Sequence, residues 1–218
     1  INIFRVKIPG RKKLQTASFI SLVLFPYYAY EICRKLMRKN NYEFINTQFA
    51  VPTGPLGVRL SKEFGIKNIL SLHGGDIHDS TKKLSPHRNF ILRRKVRSVL
   101  NNSDFVVAQS SNTRNNAIKY YNPNKKIEII PLPYENIKFK KTDRKELGLD
   151  EKKKYLIGVG RVVRRKGFDF AIRVLSAMKK DNVELLIVGD GPEKENLEKM
   201  ALELKVRERV HFLGQISE

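Results

Sequence analysis

The strongest constraint on this chain is an alternation in its last third, where short apolar runs take turns with segments of helical spacing. Tyr155–Val159 is apolar and β-prone, and Phe168–Met178 sets Phe170, Ala171, Val174, Leu175 and Met178 at helical intervals. Val183–Val188 reads as a buried strand, followed by the turn Gly189-Asp190-Gly191-Pro192 and a helix over about Glu193–Leu204. Arg209–Gly214 then begins a third strand. Strand, helix, strand, helix, strand describes successive βα units, and buried strands joined by crossover helices pair in parallel. The fold class is therefore α/β with parallel sheets.

The loop between the first of these strands and its helix concentrates cations. Gly160-Arg161-Val162-Val163-Arg164-Arg165-Lys166-Gly167 puts Arg161 and Lys166 at the carboxyl end of a strand, where open α/β sheets bind ligands and where helix amides attract anions. A planar guanidinium and a flexible ammonium together suit a diphosphate held from two sides. Any Lys- and Arg-rich chain can carry such a loop, so the motif gains weight only from its neighbours. A dinucleotide fingerprint does not fit, because Gly158 and Gly160 are followed at the third glycine position by Val163.

Three ordered blocks supply that weight: Gly-Arg-x4-Lys-Gly at 160–167, Leu-x-Ile-Val-Gly-Asp-Gly-Pro at 185–192 and Val-x-Phe-Leu-Gly at 210–214. Together they resemble the donor-binding domain of retaining glycosyltransferases of family 4. Upstream, Leu72-His73-Gly74-Gly75-Asp76 is similar to the family's His-Gly-Ser/Thr-Asp segment, Ser103–Ser110 to the last strand of its N-terminal domain, and Lys126–Pro131 to the strand running into the interdomain connection. The resemblance implies a GT-B fold of two Rossmann-like parallel-sheet domains facing a cleft. Both would be incomplete here: 1–138 as an acceptor-side domain without its first strand and glycine-rich loop, and 139–218 as a nucleotide-sugar donor domain ending before the family's Glu-x7-Glu block. It implies transfer of a sugar from a UDP-, GDP- or ADP-sugar to a glycan or lipid-linked hydroxyl in cell-envelope synthesis, with no cofactor, and a fragment of these residues alone is expected to be inactive. Arg161 and Lys166 would stabilise the leaving diphosphate and His73 would lie near the donor sugar. Gly160, Gly189 and Leu213 resemble donor-binding positions, while Gln48, Thr53 and Asp76 are candidates for acceptor or sugar contacts. Two blocks depart from the pattern: Gly75 stands at the third place of the His-Gly segment, and Pro131-Leu132-Pro133-Tyr134-Glu135 replaces the usual Pro-Asn-Gly-Val-Asp.

In the rest of the chain, Ile1–Ile8 alternates as a strand would, Pro9-Gly10-Arg11-Lys12-Lys13 is an exposed loop, and the uncharged Leu14–Tyr30, interrupted by polar residues and Pro26, predicts a helical pair too short to span a bilayer. Strands are expected over Tyr42–Phe49 and Lys67–Leu72, helices over about Leu56–Phe64 and Asn89–Leu100, and an interdomain linker over Tyr134–Asp143.

Charge is the other prominent feature. The net formal charge is +21, and residues 1–140 hold 25 Lys or Arg against 8 Asp or Glu, whereas 141–218 hold 18 against 14. An excess on the acceptor side suits an anionic membrane surface, with Arg11-Lys12-Lys13 and the apolar Phe19–Phe25 as the candidate contact. The single cysteine, Cys33, excludes an intrachain disulfide and favours a cytoplasmic protein, possible peripheral association with the inner leaflet included. The sequon Asn101-Asn102-Ser103 is incidental. His73, Asp76, His78 and Asp79 have loose spacing for a metal site, so none is expected. Two other classes stay open: a GT-B-like nucleotide-sugar epimerase, and a basic nucleic-acid-binding module, which would explain the charge but not the βα units with cations at one strand end. Nucleic acid is not the expected partner.

Overall fold

The first regular element among the described residues is a helix. α1 (Phe19–Lys39) runs through Pro26 without interruption, so the expected helical pair over 14–30 is a single helix from Phe19 onward. The proline forfeits one backbone hydrogen bond, but the following turn is held from outside: Ala29 and Tyr30 are buried, the Arg59 guanidinium lies 3.6 Å from the centre of the Tyr30 ring, and the Tyr30 hydroxyl donates to Glu63. The computed structural model describes residues 2–9, 19–81, 85–133, 142–178 and 180–216, and the chain divides into two units, Ile1–Glu135 and Asn136–Glu218. The expected loop cations Arg11, Lys12 and Lys13, and residues 134–141 of the expected linker, lie outside the described residues. Residues 2–8 are not in a strand; alternation marks a face, but a strand also needs a hydrogen-bonded neighbour.

In the first unit β1 (Phe44–Gln48), α2 (Gly54–Phe64), β2 (Lys67–Leu72), α3 (Phe90–Asn102), β3 (Phe105–Ala108), α4 (Ser111–Tyr121) and β4 (Ile127–Ile129) build a parallel sheet in the order β1-β2-β3-β4. Asn68, Leu70 and Leu72 are buried on one face, while Ile69 and Ser71 on the other are only half-buried. Leu70, Leu72, Ile77, Val96, Leu100 and Ala117 are fully enclosed in the core. Burial of each large aliphatic side chain among them stabilises the fold by about 1.5–3 kcal/mol. Asn89 caps α3 by accepting from the Leu92 amide at 3.0 Å. α4 carried no helical expectation, because Ser-Asn-Thr-Arg-Asn-Asn is poor in helix formers; the Ser110 cap and the burial of Ala117 and Tyr121 decide it.

The second unit contains β5 (Lys154–Val159), a short 3-10 turn (Arg164–Lys166), α5 (Phe168–Ala177), β6 (Val183–Val188), α6 (Lys194–Glu203) and β7 (Val210–Gly214), with strands parallel in the order β5-β6-β7. β6 is buried from Val183 to Ile187, the apolar residues Val183, Leu185, Leu186 and Ile187 together with Glu184, and α5 packs on it through Ile172 and Leu175. The pairing of β6 with β7 skips Leu213: Ile187 faces Phe212 and Val188 faces Gly214. Both sheets are thus parallel and fed by crossover helices, the α/β architecture read from the sequence. Among the described residues no helix is long and apolar enough to cross a membrane.

Candidate active site

At the carboxyl ends of β5, β6 and β7 the expected donor-side residues come together. The loop after β5 is pinned to the end of β6 and its turn by two successive bonds: the Gly160 amide donates to the Val188 carbonyl at 2.9 Å, and the Val162 amide to the Asp190 carbonyl at 3.0 Å. The Gly189 amide in turn donates to the Gly214 carbonyl at 2.6 Å. Glycine is required where these backbones meet. A Cβ on Gly189, whose φ is 127°, would lie 2.1 Å from the Gly160 carbonyl oxygen. The skipped residue of β7 leaves Leu213 exposed beside this turn, as bulges at functional strand ends do.

Arg161 follows directly and is exposed, and the 3-10 turn brings Lys166 back to Gly160. A Cβ built on Gly160 would stand 3.7 Å from the Lys166 ammonium, so the side chain lies along the strand end. Gly167, with φ 71°, ends that turn and starts α5, while Phe168 is buried under Gly158 and anchors the loop. Arg161, Arg164, Arg165 and Lys166 occur here without an intervening acidic residue, and among the described residues neither Arg161 nor Lys166 has an ion-pair partner. Four cations thus stand on one short loop after β5, a concentration of positive charge of the kind that attracts anions.

The first unit gathers a polar group at the carboxyl ends of β1, β2 and β3. Gln48, Ser71 and Val107 share one face of the sheet by register, and the period-two alternation sends His73 and Gln109 to that same face. The imidazole lies between two amides, with Nε2 at 2.6 Å from Gln48 Oε1 and Nδ1 at 2.6 Å from Gln109 Nε2. Phe49, held at φ 75°, stacks its ring on His73 with centroids 4.1 Å apart. Thr53 donates its hydroxyl to the Gln48 and Phe49 carbonyls and so closes the turn after β1.

Asp76 is buried, and its two oxygens accept from the Ala50 amide at 2.6 Å and the His73 amide at 3.0 Å. Burial pushes this carboxyl up from its ordinary value, against the opposing pull of those two amides. It thereby ties the β1 turn to the β2 turn and holds the backbone of His73. Tyr121 adds a second tie by donating to the Ile77 carbonyl. His78 stacks with Tyr120 at 5.1 Å and tilts against His87 at 4.3 Å; among the described residues no group of three or more His, Cys, Asp or Glu side chains is placed to hold a metal ion.

Sequence reasoning therefore located Arg161, Lys166, Gly160, Gly189 and Leu213 at one strand-end surface, and Gln48, Thr53, His73 and Asp76 at another. It missed Phe49 and Gln109. The position of Gln109, one residue beyond β3, is equivalent to that of His73 beyond β2, and this was the available signal.

Comparison with known proteins agrees with the fold and with the division of motifs. Residues 8–135 match the family model for Glycosyltransferase Family 4, and residues 139–218 that for Glycosyl transferases group 1. The N-acetyl-alpha-D-glucosaminyl L-malate synthase of Bacillus anthracis is 26% identical over 92% of this chain and 54% of its own length. The GDP-mannose-dependent alpha-(1-6)-phosphatidylinositol monomannoside mannosyltransferase of Mycobacterium tuberculosis is 26% identical over 84% of this chain and 48% of its own length. The chain thus spans about half the length of the curated relatives it matches. Among solved structures, sucrose-phosphate synthase from Thermosynechococcus elongatus superposes with a TM-score of 0.76 at 20% identity, over 93% of this chain and 52% of that one, which places the fold in the GT-B class. With one family model covering more than half of its residues and the other most of the remainder, the chain belongs to Glycosyltransferase Family 4.

Proposed function

We propose that this chain carries the diphosphate-binding loop and part of the sugar-handling surface of a retaining glycosyltransferase that moves a sugar from a nucleotide-diphosphate donor to a glycan or lipid-linked hydroxyl. The observation carrying this reading is the loop Gly160–Gly167, which follows the end of β5 with Lys166 lying beside Gly160 and with neither Arg161 nor Lys166 in an ion pair among the described residues. Negative charge grows on the β-phosphate as the glycosidic bond breaks, and a guanidinium and an ammonium fixed beside it act more strongly on that charge than on the ground state. Gly160 and Gly189 let the backbone approach the nucleotide closely, and Leu213 offers an apolar contact for the base. On the first unit, His73 and Gln48 present polar atoms to a sugar or acceptor oxygen, with Asp76 and Thr53 shaping the turns that hold them. The mannosyltransferase relative, named for a GDP-mannose donor and a phosphatidylinositol-based acceptor, supports both the donor class and the lipid acceptor.

The test is calorimetric titration of the chain with UDP and GDP in the absence of metal, beside an Arg161→Ala, Lys166→Ala variant. Binding by the wild type and its loss in the variant is expected, and the preferred base narrows the donor. In the full gene product either single substitution should lower kcat about 100-fold, the usual cost of removing one charge-stabilising group; an unchanged kcat would overturn the assignment.

A further inference from the structure

The amides around His73 select one protonation isomer of its ring. Gln48 turns its carbonyl oxygen to Nε2, and an oxygen of this kind can only accept. In this orientation Gln48 Nε2 donates to Asn46 Oδ1 at 2.7 Å, which also accepts from the Ser71 hydroxyl at 3.3 Å. Gln109 presents its NH2 group to Nδ1, and an amide nitrogen can only donate. The single arrangement satisfying both contacts is a neutral ring with hydrogen on Nε2 and a lone pair on Nδ1. Phe49 stacked on one face, and the Asp76 carboxylate accepting from the His73 amide, hold the ring in place.

We propose that Gln48 and Gln109, with Asn46 behind them, are positioning residues that lock His73 as the Nε2–H tautomer, so that the ring offers a substrate a hydrogen-bond donor and not a base. Gln48 is exposed and its Oε1 occupies the seat on Nε2 that a substrate oxygen takes, so a bound hydroxyl or phosphate oxygen replaces the amide there. Gln109 stays half-buried on the other ring nitrogen, and the incoming oxygen, an acceptor like the amide it replaces, keeps the hydrogen on Nε2. The consequence for substrate rests on the function proposed above; the tautomer itself does not.

The experiment is nitrogen-15 NMR of the histidine rings in the labelled protein at about pH 8.5, two units above the ordinary imidazole value. There are 4 histidines, and a His73→Gln variant assigns the resonance. The expected wild-type pattern is a protonated Nε2 and an unprotonated Nδ1. Gln109→Glu places an acceptor at Nδ1 and should move the hydrogen there, while Gln109→Leu and Gln48→Leu should each give an averaged pattern from both isomers. A wild-type ring that is Nδ1–H or averaged overturns the proposal without any variant. A wild-type Nε2–H ring unchanged in both leucine variants overturns the role of the two amides. Since the spectrum is read without substrate, its outcome leaves glycosyl transfer untouched, and absent nucleotide binding would leave the spectrum untouched in turn.

Discussion

Individual residues in this protein divide between those aimed outward at a ligand and those that hold the aim. Arg161 and Lys166 belong to the first kind, and Asp76 to the second, since both its oxygens are spent on backbone amides. Glu184 is a further holding residue, buried at the amino end of β6, where it pairs with Lys153 and accepts from His211 Nε2 at 2.9 Å. Burial pushes its carboxyl up, but the hydrogen bonds and charges of Lys153 and His211 outweigh that and hold it below the ordinary 4.5. A carboxyl depressed in the folded state contributes stability that is present above the unfolded value and is lost as pH falls through the folded one. Wild type should therefore exceed Glu184→Gln in urea-denaturation stability at pH 7, and the gap should close when the comparison is repeated at about pH 3. A gap of equal size at both pH values would show that the ion pair contributes nothing.

At the scale of elements, the donor-side surface depends on how closely the loop after β5 meets the turn after β6. The 2.1 Å separation between a Gly189 Cβ and the Gly160 carbonyl oxygen leaves no room for alanine, and a φ of 127° is strained for any side chain. Gly189→Ala should destabilise the protein by about 1–3 kcal/mol, as overpacking against backbone does, and should weaken nucleotide binding by shifting Gly160 and Arg161. Thermal denaturation and the same calorimetric titration measure the two effects, and a variant of wild-type stability would mean that the loops are not locked as described. The helical elements teach a different lesson. Pro26 and the polar interruptions of 14–30 suggested two helices, and Asn-rich Ser111–Tyr121 suggested none, yet each region forms one helix because Tyr30 packs on α2 and Tyr121 is buried in the core. Packing overrides local propensity at both places.

On the scale of the whole molecule the formal charge of +21 must meet an anionic partner or be screened. The exposed apolar residues Ile20, Val23 and Tyr27 on α1, and Phe90 and Ile91 at the start of α3 beside the Arg94 guanidinium, supply apolar contact near cations. Vesicles rich in phosphatidylglycerol should bind the protein at about 0.05 M salt and release most of it at about 0.5 M, since screening shortens the reach of surface charge. Neutral phosphatidylcholine vesicles should bind little, and equal binding to both would remove the electrostatic reading. The sequence alone determined the parallel α/β class, the strand runs Lys67–Leu72 and Val183–Val188, and the cationic loop 160–167, because periodicity and glycine-bounded strand ends are local properties of the chain. Only the tertiary structure decided that Asp76 faces backbone amides and that Gln48, His73 and Gln109 form one hydrogen-bonded line. The contacts of that line join residues 25 and 36 positions apart along the chain, and they exist only because parallel pairing sets the ends of β1, β2 and β3 side by side.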